Sequence, residues 1–359
     1  MPRPGLHSPV FRNRVRCSLT ALSVALAALA GETRAEDSEG ARMVAGLEQQ
    51  VRAIFEKCQP AVVKIEASDA HGRLSGTGFF IDPNGTLYTS YSVGGESQDI
   101  TVTIGNARHA ATRMIGDVRS GIAILKIDGE TPFLAIDTSR VLAVASPVMT
   151  VGFPLDLPAS PSFGMVGGFD IKYLGRYFAT THIRANVPVQ RGQGGAPLLN
   201  LRGEVVGILI SSLDQGSASF AVPIEAAEKV RQNFLRFREV RRGWLGIEVG
   251  SLNQPVDRSS TVVKAVLPDS PALKAGVLEG DILLRIGERV IATPEDVIDA
   301  SFFLTADDTT TLRVSRGTQE LLLPIQPSDP PGEANAMKRI APAFTPGADL
   351  TLPRLGEEK

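Results

Sequence analysis

The order of apolar and polar residues changes along the chain, and each pattern predicts a different kind of element. Apolar residues at helical spacing precede Pro60, which predicts a helix within residues 36–59. Residues 60–223 hold short runs rich in Val, Ile, Thr and Phe, separated by glycine turns, and this pattern is typical of an all-β sandwich or barrel. Residues 224–240 return to helical spacing, with charges opposite the apolar side, and we interpret them as a linker helix.

A second strand-rich module is predicted over residues 241–326. Its clearest helix start is Thr293-Pro294, because threonine caps helices well and proline suits the first helical turn. Residues 327–359 contain six prolines and no apolar periodicity, so we expect a disordered tail. The 359 residues are enough for both folded modules.

The N-terminal residues have the pattern of a secretory signal. Residues 1–16 carry four arginines and no acid, and an apolar run follows over residues 17–30. Small residues suited to cleavage end at Ala30 and Ala35, so we predict a signal peptide over residues 1–35, cut near either alanine. A membrane anchor is the alternative, but the apolar run is shorter than the roughly 20 residues that span a bilayer. We therefore expect an exported protein of the periplasm or cell envelope, with no membrane span after cleavage.

Charge and cysteine content exclude some classes of function. Without residues 1–35 the chain has 32 basic and 38 acidic residues, a formal charge of −6, which disfavours a nucleic-acid partner. Cys58 is the sole cysteine after cleavage, so no disulfide can form within the chain, and its context indicates a small buried residue rather than a reactive thiol. No His/Cys cluster has metal-ligand spacing, and we expect no metal and no cofactor.

Four segments of residues 60–223 resemble the HtrA/DegP family of exported trypsin-like serine proteases, and they follow the family's order and spacing. The segments are residues 76–93, 117–128, 151–168 and 190–209, with a closing strand at residues 218–227. The resemblance implies a mainly β fold: two six-stranded β-barrels of the trypsin-like type, over residues 60–223, followed by one PDZ domain.

The same resemblance places the family's catalytic histidine at Ser92, its aspartate at Gly121 and its serine at Gly194. A serine hydroxyl needs a hydrogen-bonded imidazole to take its proton and a carboxylate to orient that imidazole. Glycine has no nucleophilic atom, and a serine cannot act as a base near neutral pH. The three replacements therefore predict a catalytically inactive member of the family, a pseudoprotease, rather than an enzyme.

The sequence offers no replacement triad. His71, His109 and His182 remain after cleavage, and their contexts are typical of solvated or packed side chains. The turn at Gly192 and Gly194 could still present N–H donors, as the remnant of an oxyanion hole. The alternative is that these glycines only form a turn.

Residues 241–326 resemble a PDZ domain of the HtrA type through two segments, 243–249 and 268–291. PDZ domains add an extended peptide as an extra strand, while loop amides bind its C-terminal carboxylate. The resemblance places those amides and the adjoining strand edge within residues 245–249, with Val297 and its neighbours as the groove wall. The implied peptide-binding residues are Leu245, Gly246, Ile247 and Val249.

The sequence therefore predicts an exported HtrA-like pseudoprotease that binds peptide C-termini or unfolded segments through its PDZ domain. Such a protein would act as a scaffold, a chaperone-like holder or a regulator in envelope protein quality control. Two alternatives remain: a serine endopeptidase with a reorganised or partner-completed site, and an inactive structural subunit in mixed trimers. The partners expected from the family are active HtrA homologues and copies of the chain itself in a homotrimer.

Overall fold

The computed structural model describes three stretches of the chain: residues 39–139, 142–213 and 216–331. The predicted signal peptide at residues 1–35 and most of the predicted tail, residues 332–359, lie outside the described residues. Within the three stretches, no helix combines the length and the apolar composition needed to cross a membrane.

The described chain begins with a helix, α1, over residues 39–58. A 3-10 turn at Gln59–Ala61 follows it, because Pro60 has no N–H with which to continue the helix. The side chain of Cys58 is fully buried, its thiol lies 3.5 Å from the carbonyl oxygen of Gly203, and burial raises the pKa of the thiol. The predicted buried cysteine is confirmed, and its raised pKa disfavours the reactive thiolate.

The first sheet contains seven antiparallel strands, in the order β5-β4-β1-β2-β3-β7-β6. Alternate residues of the first strand, Val63, Ile65 and Ala67, are buried and pack in one cluster with Phe80 and Leu125, as the period of two in a strand requires. A short helix, α2 (Tyr91–Gly94), follows the third strand. The strands are β1 (Val62–Asp69), β2 (Gly72–Phe80), β3 (Thr86–Ser90), β4 (Gln98–Ile104), β5 (Ala107–Ala110), β6 (Thr112–Asp117) and β7 (Ile122–Lys126).

The second sheet closes into a barrel of six strands, in the order β10-β13-β12-β11-β8-β9. Its interior is filled by aliphatic side chains from every strand, among them Val148, Ile183 and Leu198. A helix, α3 (Ile224–Phe237), leaves the barrel and buries Ile224 and Val230. The strands are β8 (Pro147–Gly152), β9 (Ser160–Tyr173), β10 (Arg176–Ala185), β11 (Pro197–Leu199), β12 (Val205–Leu213) and β13 (Ala218–Pro223).

The mainly β fold class is confirmed, and the two sheets differ in detail from the predicted pair of six-stranded barrels. The second sheet is a closed six-stranded barrel, whereas the first is a seven-stranded sheet. The additional strand arises because the chain reverses at Gly105, so that the short β5 pairs with β4 over four residues and forms an exposed edge.

A third sheet of six strands forms the C-terminal module, with β14 at one edge. Its core includes Leu245, Val263 and Leu312, and the helix beside the sheet begins with a capping box in which the N–H of Thr293 donates to Asp296 at 2.8 Å. The elements are β14 (Ile247–Val256), β15 (Ser259–Val266), α4 (Pro271–Lys274), β16 (Ile282–Ile286), β17 (Arg289–Val290), α5 (Pro294–Phe302), β18 (Thr310–Arg316) and β19 (Gln319–Ile325).

Polar contacts hold the C-terminal module against the second barrel. Asp299 of α5 accepts hydrogen bonds from the hydroxyl of Thr180 at 2.6 Å and from the N–H of Thr181 at 2.8 Å. Arg289 pairs with the same carboxylate and, at 3.0 Å, with Glu225 of α3. Arg289 therefore bridges two largely buried carboxylates where the modules meet, and offsets part of the cost of burying them.

An aromatic cluster closes the end of the second barrel. The rings of Phe178 and His182 are stacked at 4.0 Å, and the ring of Phe220 meets Tyr173 edge-on at 5.3 Å. Nδ1 of His182 lies 2.7 Å from the carbonyl oxygen of Thr180, which fixes it as the donor nitrogen. Burial lowers the pKa of His182 to about 4 from an ordinary 6.5, against smaller opposing effects of the Thr180 carbonyl and Asp299.

The stability of the fold should fall in mild acid because of His182. Between pH 6.5 and about 4 the unfolded chain binds a proton on this imidazole that the folded chain excludes. The free energy of unfolding is therefore highest above pH 6.5 and falls as the pH is lowered through that window, by up to about 3 kcal/mol. Urea unfolding monitored at several pH values measures this dependence.

Replacing His182→Phe should flatten the pH dependence between those limits, because phenylalanine can keep the stacked ring without a titrating group. His71→Gln, at an exposed turn, is the matched control and should leave the wild-type slope unchanged. Equal acid sensitivity of His182→Phe and wild type would contradict this account.

Candidate functional site

The three positions predicted for a catalytic triad lie in a short helix and two loops, which hydrogen bonds connect to one another or to the first sheet. Ser92 lies in α2, Gly121 directly precedes β7, and Gly194 lies between β10 and β11. The N–H of Tyr91 donates to the carbonyl oxygen of Gly121 at 2.7 Å, which ties the first two loops together. The N–H of Thr77 donates to the carbonyl oxygen of Gly194 at 2.9 Å, which ties the third loop to the first sheet.

A pair of serine hydroxyls lies beside Gly194. The Oγ atoms of Ser90 and Ser92 are 2.9 Å apart, with Ser90 buried and Ser92 half-buried. A Cβ atom placed on Gly194 would lie 3.4 Å from Oγ of Ser90 and 3.9 Å from Val93. The predicted positions are therefore neighbours in space, and the structure adds Ser90, whose hydroxyl approaches the place where a residue-194 side chain would begin.

The turn over residues 190–196 is shaped by its contacts rather than by a reacting side chain. The hydroxyl of Thr77 donates to the carbonyl oxygen of Gly192 at 2.8 Å, and the N–H of Gln190 donates to the side-chain oxygen of Gln193 at 2.7 Å. Gly195 has φ +88°, and a Cβ there would lie 2.2 Å from the carbonyl oxygen of Thr77. Only glycine fits at this position, so the sheet contact itself requires glycine at residue 195.

The N–H groups of Gly192 and Gly194, predicted as the remnant of an oxyanion hole, make no hydrogen bond within the turn. Neither the N–H of Gly192 nor that of Gly194 donates a hydrogen bond to another described residue. Nε2 of Gln193, between them in sequence, is buried and likewise has no partner among the described residues. Amides of this kind can donate to a carbonyl or carboxylate oxygen, and the role of Gly192 and Gly194 in binding stays a prediction.

The described histidines lie away from this cluster. His71 lies in the turn between β1 and β2, His109 lies on the edge strand β5, and His182 is packed in the second barrel. No described histidine shares a hydrogen bond with Ser90 or Ser92. The arrangement therefore contains hydroxyls and amide donors but no imidazole base beside them.

A buried carboxylate lies four residues before Gly121 and was not singled out from the sequence. Asp117 is 4% exposed; it accepts a hydrogen bond from the N–H of Ser120 at 3.2 Å and pairs with the guanidinium of Arg242. The two partners are 125 residues apart, so no local pattern marks the pair. It links the loop of Gly121 to the first residues of the C-terminal module.

The loop before β14 is held by its carbonyl groups. The carbonyl oxygen of Leu245 accepts from the N–H of Ala272 at 2.9 Å, and that of Gly246 accepts from Leu267 at 2.9 Å. Gly246 has φ +78°, and a Cβ there would lie 2.3 Å from Cβ of Ser270, so only glycine fits. The N–H groups of Leu245 and Gly246 donate to no described residue, which leaves two adjacent amides for a ligand.

The main chain of β14 presents hydrogen-bonding groups at the sheet edge. Ile247 is opposite Val266, and the bond from Leu267 to Gly246 spans that pair, so Ile247 and Val266 form a non-hydrogen-bonded antiparallel pair. The N–H and C=O of Ile247 therefore point away from β15, toward the open edge. Val249, two residues further along, points the same way.

The helix α5 lies beside this edge, and its residues divide among three sides. Val297 and Ala300 belong to the core of the module, whereas Asp299 contacts the second barrel. Because successive helical residues turn by about 100°, Ile298 and Ser301 share the remaining side. Val297, predicted with its neighbours as the groove wall, is 8% exposed and belongs to the cluster against which Ile247 and Val249 pack, and its role stays a prediction. Its neighbour Ile298 is half-buried.

No metal site emerges from the three described stretches, where no group of three or more His, Cys, Asp or Glu side chains could hold an ion. The chemistry available to the described site is that of hydroxyls, amide donors and an open strand edge.

Two family models match the chain. Residues 76–208 match a trypsin-like peptidase domain, and residues 243–326 match a PDZ domain. The chain therefore carries a trypsin-like peptidase domain followed by a PDZ domain, the combination that the HtrA/DegP resemblance implied.

Curated relatives are named DegP-like periplasmic serine endoproteases. The protein of Pseudomonas putida (strain W619) is 28% identical over 267 residues, which cover 70% of this chain and 56% of the relative. That of Pseudomonas savastanoi pv. phaseolicola is 29% identical over 294 residues, covering 78% of this chain and 60% of the relative. The chain thus spans little more than half the length of these relatives.

Solved structures of HtrA-type proteases share the fold. The protease AlgW with a tripeptide has a TM-score of 0.66 at 22% identity, with 78% of this chain and 97% of that chain covered. A serine endoprotease from Yersinia pestis has a TM-score of 0.56 at 24% identity, with coverages of 78% and 98%.

The prediction that the chain is not an enzyme is contradicted by these comparisons. The relatives are named serine endoproteases and the solved structures are named proteases, which points to a protease. The prediction was wrong because it rested on Ser92, Gly121 and Gly194 alone. Side chains missing at three positions do not exclude a site that uses neighbouring groups such as Ser90.

Proposed function

We propose that this HtrA/DegP-like chain acts in protein quality control of the cell envelope, and that its PDZ domain binds the C-termini of peptides or of unfolded protein segments. In this role it holds, scaffolds or presents exposed segments to other members of the same system. The observation that carries the proposal is the open edge of β14 beside two amides that no described residue uses.

The geometry supports addition of the peptide as a further strand. The N–H and C=O of Ile247 point to the open edge, and those of Val249 follow, so an extended peptide can form two successive sets of main-chain bonds. The amides of Leu245 and Gly246, at the start of the same edge, are suited to its terminal carboxylate. Strand pairing supplies affinity without sequence preference, which suits a binder of unfolded segments.

The side chains along the edge favour an apolar end of the peptide. Ile247 and Val249 are half-buried and pack against the core of the PDZ domain, to which Val297 of α5 belongs. A terminal apolar side chain would remove these groups from water. Large apolar side chains are buried in most folded proteins, so an exposed apolar C-terminal segment would mark a damaged protein.

The place of action that we propose is the periplasm or cell envelope. Support comes from the sequence pattern of residues 1–35, with cleavage near Ala30 or Ala35, and from relatives that are named periplasmic. We also propose that the chain assembles with itself as a trimer or with active HtrA homologues. Exposed apolar side chains on the second barrel, among them Leu157 and Met165, support an interface of this kind.

Removing the outward N–H of Val249 should weaken peptide binding. Val249→Pro deletes a donor that points to the open edge, and proline is tolerated on that side of an edge strand. We expect about a tenfold loss of affinity for peptides with an apolar C-terminus, the equivalent of one hydrogen bond. Fluorescence anisotropy of labelled peptides with the purified chain measures the affinity.

Val249→Thr is the matched control, because it keeps the N–H and the β-branched shape and should bind like wild type. Amidation of the peptide's C-terminus should weaken binding to wild type, since the amides of Leu245 and Gly246 would lose their anionic partner. The proposal fails if Val249→Pro, folded by circular dichroism, binds as tightly as wild type and the amidated peptide binds equally well.

A second candidate function is that of a serine endopeptidase with a reorganised or partner-completed site. Two observations favour it: the relatives are named serine endoproteases, and the hydroxyls of Ser90 and Ser92 are paired beside Gly194. Ser92 is the more accessible of the two and would be the nucleophile. Because a serine needs a base to take its proton, that base would come from a rearranged loop or a partner chain.

A fluorophosphonate probe tests the second candidate directly, since it labels an activated serine hydroxyl. If Ser92 is activated, the probe should label it, and Ser92→Ala should abolish the label, with the modified peptide identified by mass spectrometry. Ser251→Ala, at an exposed position of the PDZ domain, is the matched control and should keep the label. Absence of labelling in the chain alone and in mixtures with an active homologue would remove this candidate.

A further inference from the structure

The hairpin of β9 and β10 ends in a two-residue turn that presents an apolar side chain to solvent. Tyr173 pairs with Arg176, so the turn consists of Leu174 and Gly175. The side chain of Leu174 is 74% exposed, among the most exposed of the large apolar side chains in the described stretches.

The conformation of Leu174 is unfavourable for leucine. Its φ is 47° and that of Gly175 is 78°, so both residues of the turn are left-handed, as in hairpin turns that normally contain Asn-Gly. Leucine has no side-chain hydrogen bond to offset this conformation, whereas asparagine tolerates it. Neither the turn nor the packing of the described chain explains a leucine here, and such a local conflict is typical of a functional position.

The residues around the tip are aromatic and basic. Nζ of Lys172 lies 4.9 Å from the centre of the Tyr177 ring, and Tyr177 is 46% exposed. Arg176 is exposed on the other strand. Residues 169–178 contain one acid, Asp170, and that carboxylate is paired with Arg184 at 2.9 Å. Residues 169–178 therefore carry a formal charge of +1 around an apolar tip.

Aromatic packing anchors the hairpin to the barrel close to its tip. Tyr173 packs on Phe220 with ring centroids 5.3 Å apart, and Phe178 packs on the same ring at 5.1 Å. The polar contacts with α5 involve Thr180 and Thr181, which follow the tip along β10. Leu174 is thus exposed directly after a residue that packs on the barrel.

We propose that this hairpin tip is a contact site for the surface of an anionic phospholipid bilayer. Leu174 would enter the interface between head groups and acyl chains, and the ring of Tyr177 suits the same depth. Lys172 and Arg176 complement the negative charge of the lipid head groups. One apolar side chain and two basic ones give weak, reversible association, which would place the chain at the membrane surface without a membrane span.

Flotation with lipid vesicles tests the proposal. The chain, purified after export, should float with vesicles of phosphatidylcholine and phosphatidylglycerol, and only weakly with vesicles of phosphatidylcholine alone. Binding should weaken as salt is raised, because the charges act at the surface. Leu174→Asn should reduce the affinity about tenfold or more, through loss of the inserted apolar side chain. The pair of changes Lys172→Glu and Arg176→Glu should abolish the preference for phosphatidylglycerol.

Stability measurements separate this role from a structural one. Leu174→Asn should raise the melting temperature slightly, because asparagine suits the turn, while membrane binding falls. Leu278→Asn, at a 51% exposed leucine in the PDZ domain, is the matched control and should bind vesicles like wild type. The proposal is overturned if Leu174→Asn floats as well as wild type, or if vesicle binding does not depend on phosphatidylglycerol. It is also overturned if the substitution weakens binding of denatured protein and not binding of lipid.

Discussion

The contact of Thr77 with the turn over residues 190–196 is the constraint on which the rest of the site depends. The main chain of Thr77 binds the carbonyl oxygen of Gly194, its hydroxyl binds that of Gly192, and its own carbonyl leaves no room for a side chain at Gly195. One threonine of the first sheet thereby fixes the turn of the second barrel. The loops around residue 194 are held in place by contacts that do not involve a side chain at that position.

In the PDZ domain, too, the contacts that hold the structure in place differ from the groups proposed to bind a ligand. Asp117 and Arg242 connect the loop of Gly121 to the start of this domain, and Asp299 connects its helix to the second barrel. The side of α5 that contacts the barrel is not the side that bears Ile298, because successive residues turn by about 100°. With the domain docked in this way, β14 remains an edge strand, and no other strand of the described residues pairs with its outer side.

The sequence predicted the fold class and the neighbourhood of Ser92, Gly121 and Gly194, because glycine turns and strand patterns are local signals. The partnership of Asp117 with Arg242 could not be predicted, since each residue looks like an ordinary surface charge and the pair spans 125 positions. The short β5 was missed for a related reason: edge pairing depends on tertiary packing. Enzymatic inactivity was inferred from three missing side chains, and the relatives contradict it.

Hydrogen exchange resolved to single amides is the most direct test of peptide binding by the PDZ domain. A peptide with an apolar C-terminus should slow exchange at Leu245, Gly246, Ile247 and Val249, and leave Glu248 unchanged because its N–H already faces β15. Unchanged exchange along this edge, with slowing instead at Gly192 and Gly194, would contradict the account and place the peptide at the turn over residues 190–196.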